Sequence, residues 1–196
     1  RHKALAVESP LAFYSRRRSL KVQPNVTFEN LHLQLSKHYA TGNNAEYDAI
    51  LMVLFNKIWV SDPFTVEEAF VIKNILFDNE LPFTTGCQIV SSLMLGLQAA
   101  FDLEKLMLLF DAAGHENEEI KVRALISILL TLYVYRKRTA LYPQIINRLD
   151  ALSETPGFTK AIRTITLRFI LARETEKITR KLHMKQTPCY VTNQNP

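Results

Sequence analysis

The nitrogen and sulfur metal ligands of this 196-residue chain are five histidines and two cysteines: His2, His32, His38, His115, His183, Cys87 and Cys189. A metal site needs ligands that meet on one face, and on a helix that means i, i+3 or i+4 spacing. His32 and His38 are six apart. His115-Glu116 is not followed by a second histidine at the spacing of zinc hydrolases, and no CxxC pair exists. No metal ligand set is expected. Nucleophilic catalysis finds no anchor either: there is no GxSxG, and Cys87 has no cation close in sequence to lower its pKa. Cys87 reads as a small buried apolar side chain. Gly86 and Gly96 stand ten apart in a helical pattern, so they build no phosphate loop. The acid pairs Glu67-Glu68 and Glu118-Glu119 fall in first helical turns, where the helix dipole accounts for them. No catalytic residue and no cofactor is expected. A site assembled from residues distant in sequence stays open, because such sites are found by geometry.

The remaining chemistry is charge. Arg16-Arg17-Arg18, Arg136-Lys137-Arg138 and the stretch from Arg173 to Lys185 are basic clusters. They read either as phosphate or acid contacts or as solvated helix ends, and the second reading is preferred. Tyr133, Tyr135 and Tyr142 near the middle cluster read as packing residues and not as stacking platforms. Phe55 and Trp59 are read as core. The net charge of +5 is unevenly spread. Residues 1–25 carry six Lys/Arg against Glu8, residues 61–120 carry two against eleven acids, and residues 121–196 carry fourteen against four. An acidic middle between basic ends creates a field along the molecule.

The elements that must position these groups are helices. Apolar residues recur at helical spacing: Leu103, Leu106, Met107 and Phe110; Leu141, Ile145, Leu149 and Leu152; Ile162, Ile165 and Phe169. Sustained strict alternation is absent, and Gly and Pro are sparse at 5 and 8, against an all-β fold. Thr65-Val66-Glu67-Glu68 is a capping box, Asp102 caps a helix from Leu103, and Asn117 caps one from Glu118. Arg136-Lys137-Arg138 would close a helix with cations. These signals predict helices at 8–21, 26–40, 44–60, 65–78, 83–100, 103–113, 118–136, 139–153 and 158–184. Short connectors make neighbours antiparallel. Four hairpins follow, and their second helices start at 44, 83, 118 and 158, offsets of 39, 35 and 40. Gly42, Gly114 and Gly157 fall in turns within hairpins, where a left-handed residue commonly ends a helix.

With a period near 40, the segment Glu118-Glu119-Ile120-Lys121-Val122-Arg123-Ala124-Leu125 resembles the opening of the second helix of a HEAT repeat, a polar turn followed by a Val-Arg pair and an apolar run. Thr159-Lys160-Ala161-Ile162-Arg163-Thr164-Ile165 resembles it again. The corresponding segments Thr85-Gly86-Cys87-Gln88 and Glu46-Tyr47-Asp48-Ala49-Ile50 lack the arginine. The resemblance covers roughly residues 26–175 and implies an all-α fold, a short α-solenoid of about four hairpins. It also implies that Arg123 and Arg163 either line a ligand-facing surface or join a ladder with acids such as Asp111 and Asp150. The stretch from Arg173 to Ile178, with the hairpin before it, also resembles larger helical-repeat proteins of uncharacterised function.

The expected organisation is an N-terminal basic helix or cap at 1–25, repeats at 26–184 and a flexible tail at 185–196. One domain is the default at this length, and a chain near 150 residues can bury roughly 70% of its unfolded surface. Arg1-His2-Lys3 leads into no apolar stretch, so no signal peptide is expected. The uncharged run from Leu81 to Phe101 is too polar for a membrane span. Two thiols without a disulfide framework fit a reducing, cytoplasmic compartment. Opening on Arg1, the chain is expected to be a fragment or processed product. The functional expectation is a non-catalytic scaffold for a protein or peptide partner, with Arg123, Arg136, Lys137, Arg138 and Arg163 as candidate contacts. Nucleic-acid binding through the basic segments is the alternative. A HEAT-like enzyme such as a base-excision glycosylase is a third, and it would need an acid and an aromatic converging on a basic groove.

Overall fold

A computed structural model describes residues 26–185, and every regular element among them is a helix. In chain order these are α1 (Phe28–Ala40), α2 (Asn44–Val60), α3 (Val66–Leu76), α4 (Phe83–Ala99), α5 (Leu103–Ala112), α6 (Glu118–Val134), α7 (Arg136–Thr139), α8 (Pro143–Ser153) and α9 (Phe158–Lys185). The expected helix at 8–21, Arg16-Arg17-Arg18, His2, Cys189 and the tail from 186 lie outside the described residues. No described helix is long and apolar enough to cross a membrane.

Local chemistry sets the starts. Thr65 Oγ1 accepts from Glu68 N at 3.2 Å while Glu68 Oε2 accepts from Thr65 N at 3.0 Å, a complete capping box for α3. Asn117 Oδ1 accepts from Glu119 N and Ile120 N at the head of α6. α4 opens behind Pro82 and α8 on Pro143, where a missing N–H leaves no gap in the ladder. Turn chemistry holds at Gly42 and Gly157, with φ of 70° and 84°. Gly114 differs from expectation. Its φ is not positive, because Ala113 and Gly114 finish α5 with ordinary right-handed turns onto Leu109 and Asp111 carbonyls.

The chain divides into two compact units at Leu149 and Asp150. In the first, helices contact each other in two alternating series. α1 packs on α3 and α3 on α5, while α2 packs on α4 and α4 on α6. Adjacent helices in sequence close the hairpins, α1 with α2, α3 with α4, and α5 with α6. α4 is the hub of this arrangement, touching α2, α3, α5 and α6. Its Ile89, Val90, Leu93 and Leu97 are sealed from solvent, together with Leu54 and Ile58 of α2 and Ile120 and Ala124 of α6. Burying one such aliphatic side chain contributes about 1.5–3 kcal/mol, which is why apolar periodicity locates these helices so well. α5 exceeds its predicted stripe. Leu108 and Leu109 are buried as well as Leu106 and Phe110, because α5 is covered by α3, α4 and α6.

Close approach fixes two residues of α4. A Cβ on Gly86 would lie 2.5 Å from Ile120 Cδ1, and one on Gly96 would lie 3.2 Å from the Trp59 carbonyl oxygen. Beside Gly96 sits a buried charge pair. Asp102 caps α5 through Lys105 N (3.2 Å) and also accepts from Phe64 N (2.9 Å). Lys105 Nζ lies 3.8 Å from Asp102 Oδ2, donates to Ser61 O at 3.3 Å and stands 4.6 Å over the Phe64 ring.

In the second unit, α9 runs for 28 residues from the Gly157 turn. Ile165 is its buried residue among the described side chains, whereas Leu167, Phe169, Ile170 and Leu171 are exposed.

Candidate functional site

The sequence places Arg136-Lys137-Arg138 at the end of one long helix, and the structure corrects this. α6 stops at Val134, Tyr135 leaves helical geometry (φ −101°, ψ 21°), and the three cations form the separate short helix α7. The cause is Tyr135 itself. Its hydroxyl donates to Leu97 O at 2.6 Å, and its ring meets Phe101 edge-on at 5.2 Å, with Tyr142 on the same Phe101 ring at 5.2 Å. Anchoring this side chain inward turns the backbone, and the next three residues face solvent. The predicted start of the following helix at 139 moves accordingly to Pro143, and Leu141 is left in the connector, 74% exposed.

Tyr135 and Tyr142 are packing residues, as expected. Tyr133 is not: it is 71% exposed. The Arg136 guanidinium lies over its ring at 5.5 Å, while Arg136 Nη1 donates to Tyr133 O at 3.2 Å. Arg138 approaches the Phe101 ring at 6.0 Å. A hollow of about 250 Å³ is lined by Val134, Tyr135, Arg136, Lys137 and Arg138. Among the described residues no carboxylate stands within ion-pair distance of these three cations. A cation held over an aromatic ring loses less freedom on binding, so part of this surface is organised in advance.

The other two candidate arginines separate. Arg123 is exposed on α6 and donates from Nη1 to Ser91 Oγ at 3.4 Å, which in turn donates to Cys87 O. Asp111, expected to pair with it, is taken by Lys73 (2.8 Å) and Arg148 (2.7 Å). The acidic rung therefore exists, but it joins α3, α5 and α8; Lys73 and Arg148 carry no sequence signal that selects them. Arg163 stands exposed on α9 in the second unit, and no ion pair joins it to Asp150 among the described residues.

No match to this chain is found among protein-family models, curated proteins or solved structures.

A second concavity, about 360 Å³, opens at the turns after α3 and α5, over a floor of Leu76, Leu81 and Ile120. Asp78, Thr85, His115 and Asn117 of its lining are already engaged with protein. Asp78 accepts from Glu80 N and bonds His32 Nε2 at 2.8 Å, tying α1 to the α3–α4 turn. His115 stacks on Phe77 at 5.1 Å and accepts at Nδ1 from Asn117 N, which puts its proton on Nε2. Thr85 shares a buried hydrogen bond with the Tyr47 hydroxyl, and burial pushes that phenol above its ordinary pKa. Cys87 is buried and forms no disulfide among the described residues, and no group of three His, Cys, Asp or Glu among them is placed to hold a metal. Phe55 and Trp59, expected in the core, are half-buried and meet edge to face at 6.5 Å on α2.

Proposed function

We propose that this chain is a non-catalytic scaffold, a short α-solenoid of HEAT-like hairpins that holds a protein or peptide partner. The observation that carries the reading is the alternating contact series of the first unit. First helices pack on first helices and second on second, which is how stacked hairpins share one apolar seam. A stack of this kind leaves the outer faces of its second helices free for recognition. Here those faces combine apolar and polar groups: Met52 on α2 is 60% exposed, Ser91 on α4 bonds Arg123, and Val122 on α6 is 40% exposed. Val122 and Arg123 line a shallow concavity of about 510 Å³ with Glu118, Glu119 and Ile126.

The test is affinity capture with the full chain, followed by Met52→Glu and Val122→Glu. Both side chains are exposed, so the melting temperature should hold while the captured partner is lost. Retention of the same partner by both variants, or no specific partner after stringent washing, would sink the reading.

A further inference from the structure

We propose that Tyr133, Val134, Arg136, Lys137, Arg138 and Leu141 form the docking surface for an acidic peptide segment that carries aliphatic side chains, supplied by a partner protein. This rests on the scaffold reading above and gives one of its surfaces a ligand chemistry. Three observations converge on it. Three exposed cations lie in one turn with no compensating carboxylate among the described residues. Charged groups left uncompensated at a surface select opposite charge and set the rate of encounter. Exposed apolar groups flank them: Tyr133 71%, Leu141 74% and Val134 54% exposed. Finally, the cations are partly immobilised over Tyr133 and Phe101.

The apolar flank and the surroundings decide between two anionic polymers. A single-stranded nucleic acid would use the Tyr133 ring for stacking and the cations for phosphates. It gains nothing from Val134 and Leu141, and it tracks a basic groove for about four or more nucleotides. Beyond this turn the described residues of the first unit are richer in acids than in bases. Residues 26–149 carry ten Lys/Arg against fourteen Asp/Glu. A short peptide covers the basic turn alone, placing carboxylates on Arg136, Lys137 and Arg138 and aliphatic groups on Leu141, Val134 and the Tyr133 ring. Arginine presents a planar fork that takes carboxylate with two parallel bonds, so the match is chemically specific.

Fluorescence anisotropy with the full chain tests this. The probes are a labelled peptide alternating Glu with Leu, the same length alternating Glu with Ser, and labelled oligo-dT. The Glu/Leu peptide should bind saturably, with affinity falling as salt rises. The Glu/Ser peptide should bind about tenfold more weakly or worse, which corresponds to about 1.4 kcal/mol. Arg136→Glu with Arg138→Glu should abolish binding, and Tyr133→Ala should weaken it several-fold, while circular dichroism and Tm stay unchanged. Equal affinity for the two peptides, or tighter binding of oligo-dT, would overturn the proposal. So would binding indifferent to the arginine substitutions. If a captured partner survives Arg136→Glu/Arg138→Glu but is lost with Met52→Glu, this surface fails and the scaffold reading stands. Loss of no partner by any variant removes both.

Discussion

At the residue scale, stability concentrates where polar groups are buried and answered. Asp102 is 5% exposed and Lys105 3% exposed. The carboxylate satisfies two backbone donors as well as facing the ammonium, so it joins the loop before α3, the head of α5 and a buried cation. Asp102→Ala should cost roughly 3 kcal/mol in urea denaturation, since it removes the carboxylate that faces the buried Lys105 ammonium and accepts from two backbone N–H groups. Lys105→Met leaves the Asp102 carboxylate buried on its two backbone donors, and should destabilise by less than Asp102→Ala because those donors and the long apolar stem remain. In the Lys105→Met background Asp102→Ala should be milder than alone. Strict additivity would mean that the two do not act together.

Two tyrosines give the pH dependence. Burial raises the phenols of Tyr47 and Tyr135 above 10.0; a hydrogen bond with Thr85 and the charge of Arg138 respectively act in the opposite direction. A raised pKa means the folded state holds its proton longer than the unfolded chain. The contribution is therefore whole below pH 10, where both states are protonated, and is lost as pH climbs through the folded-state values. Unfolding midpoints should fall above pH 10, and Tyr47→Phe with Tyr135→Phe should flatten that limb. An unchanged alkaline limb in the double variant would show that other groups cause it.

At the scale of elements, turns and caps separate what sequence pattern dictates from what packing adds. The caps at Thr65, Asp102 and Asn117 are local chemistry, readable within four residues, and each stands as read. The glycines are different. Gly42 and Gly157 take the left-handed turn, while Gly114 occupies a right-handed one with Asp111 O at 3.4 Å from a built Cβ, an ordinary contact. Gly42→Ala should lower stability by about 1 kcal/mol, and Gly114→Ala should be neutral or slightly stabilising because it reduces unfolded-state freedom. Thermal melts of the two variants check this, and equal losses would contradict the assigned backbone geometry. The end of α6 was legible to within two residues, 136 against Val134, but the separate short helix α7 was not. The predicted helix at 118–136 carries no local signal at Tyr135, and the engagement of Tyr135 with Leu97 and Phe101, 38 and 34 positions earlier in the chain, turns the backbone there.

At the scale of the whole molecule, the basic cluster matters because of what surrounds it. The same three residues could be a solvated helix end if carboxylates faced them, and the described structure places none there. Charge segregation along the chain is thus carried into three dimensions within the first unit, as a basic turn on a body whose residues 26–149 carry more acids than bases. The candidate arginines do not behave as one set. Arg136, Lys137 and Arg138 form a surface, Arg123 bonds Ser91, and Arg163 belongs to the second unit.

The chain by itself determined the all-helical class, the capped helix starts at Val66, Leu103 and Glu118, and a few buried positions such as Leu106, Phe110, Ile145 and Ile165. Capping and apolar periodicity act over a few residues, and the burial that rewards them is blind to which neighbour supplies the cover. Tertiary structure alone decided that Asp111 pairs with Lys73 and Arg148, that α5 is buried around most of its girth, and that Tyr133 stands out while Tyr135 turns in. Those outcomes depend on contacts between residues some 30 to 40 positions apart, and side chains of the same type at the same helical spacing cannot distinguish them until the helices have met.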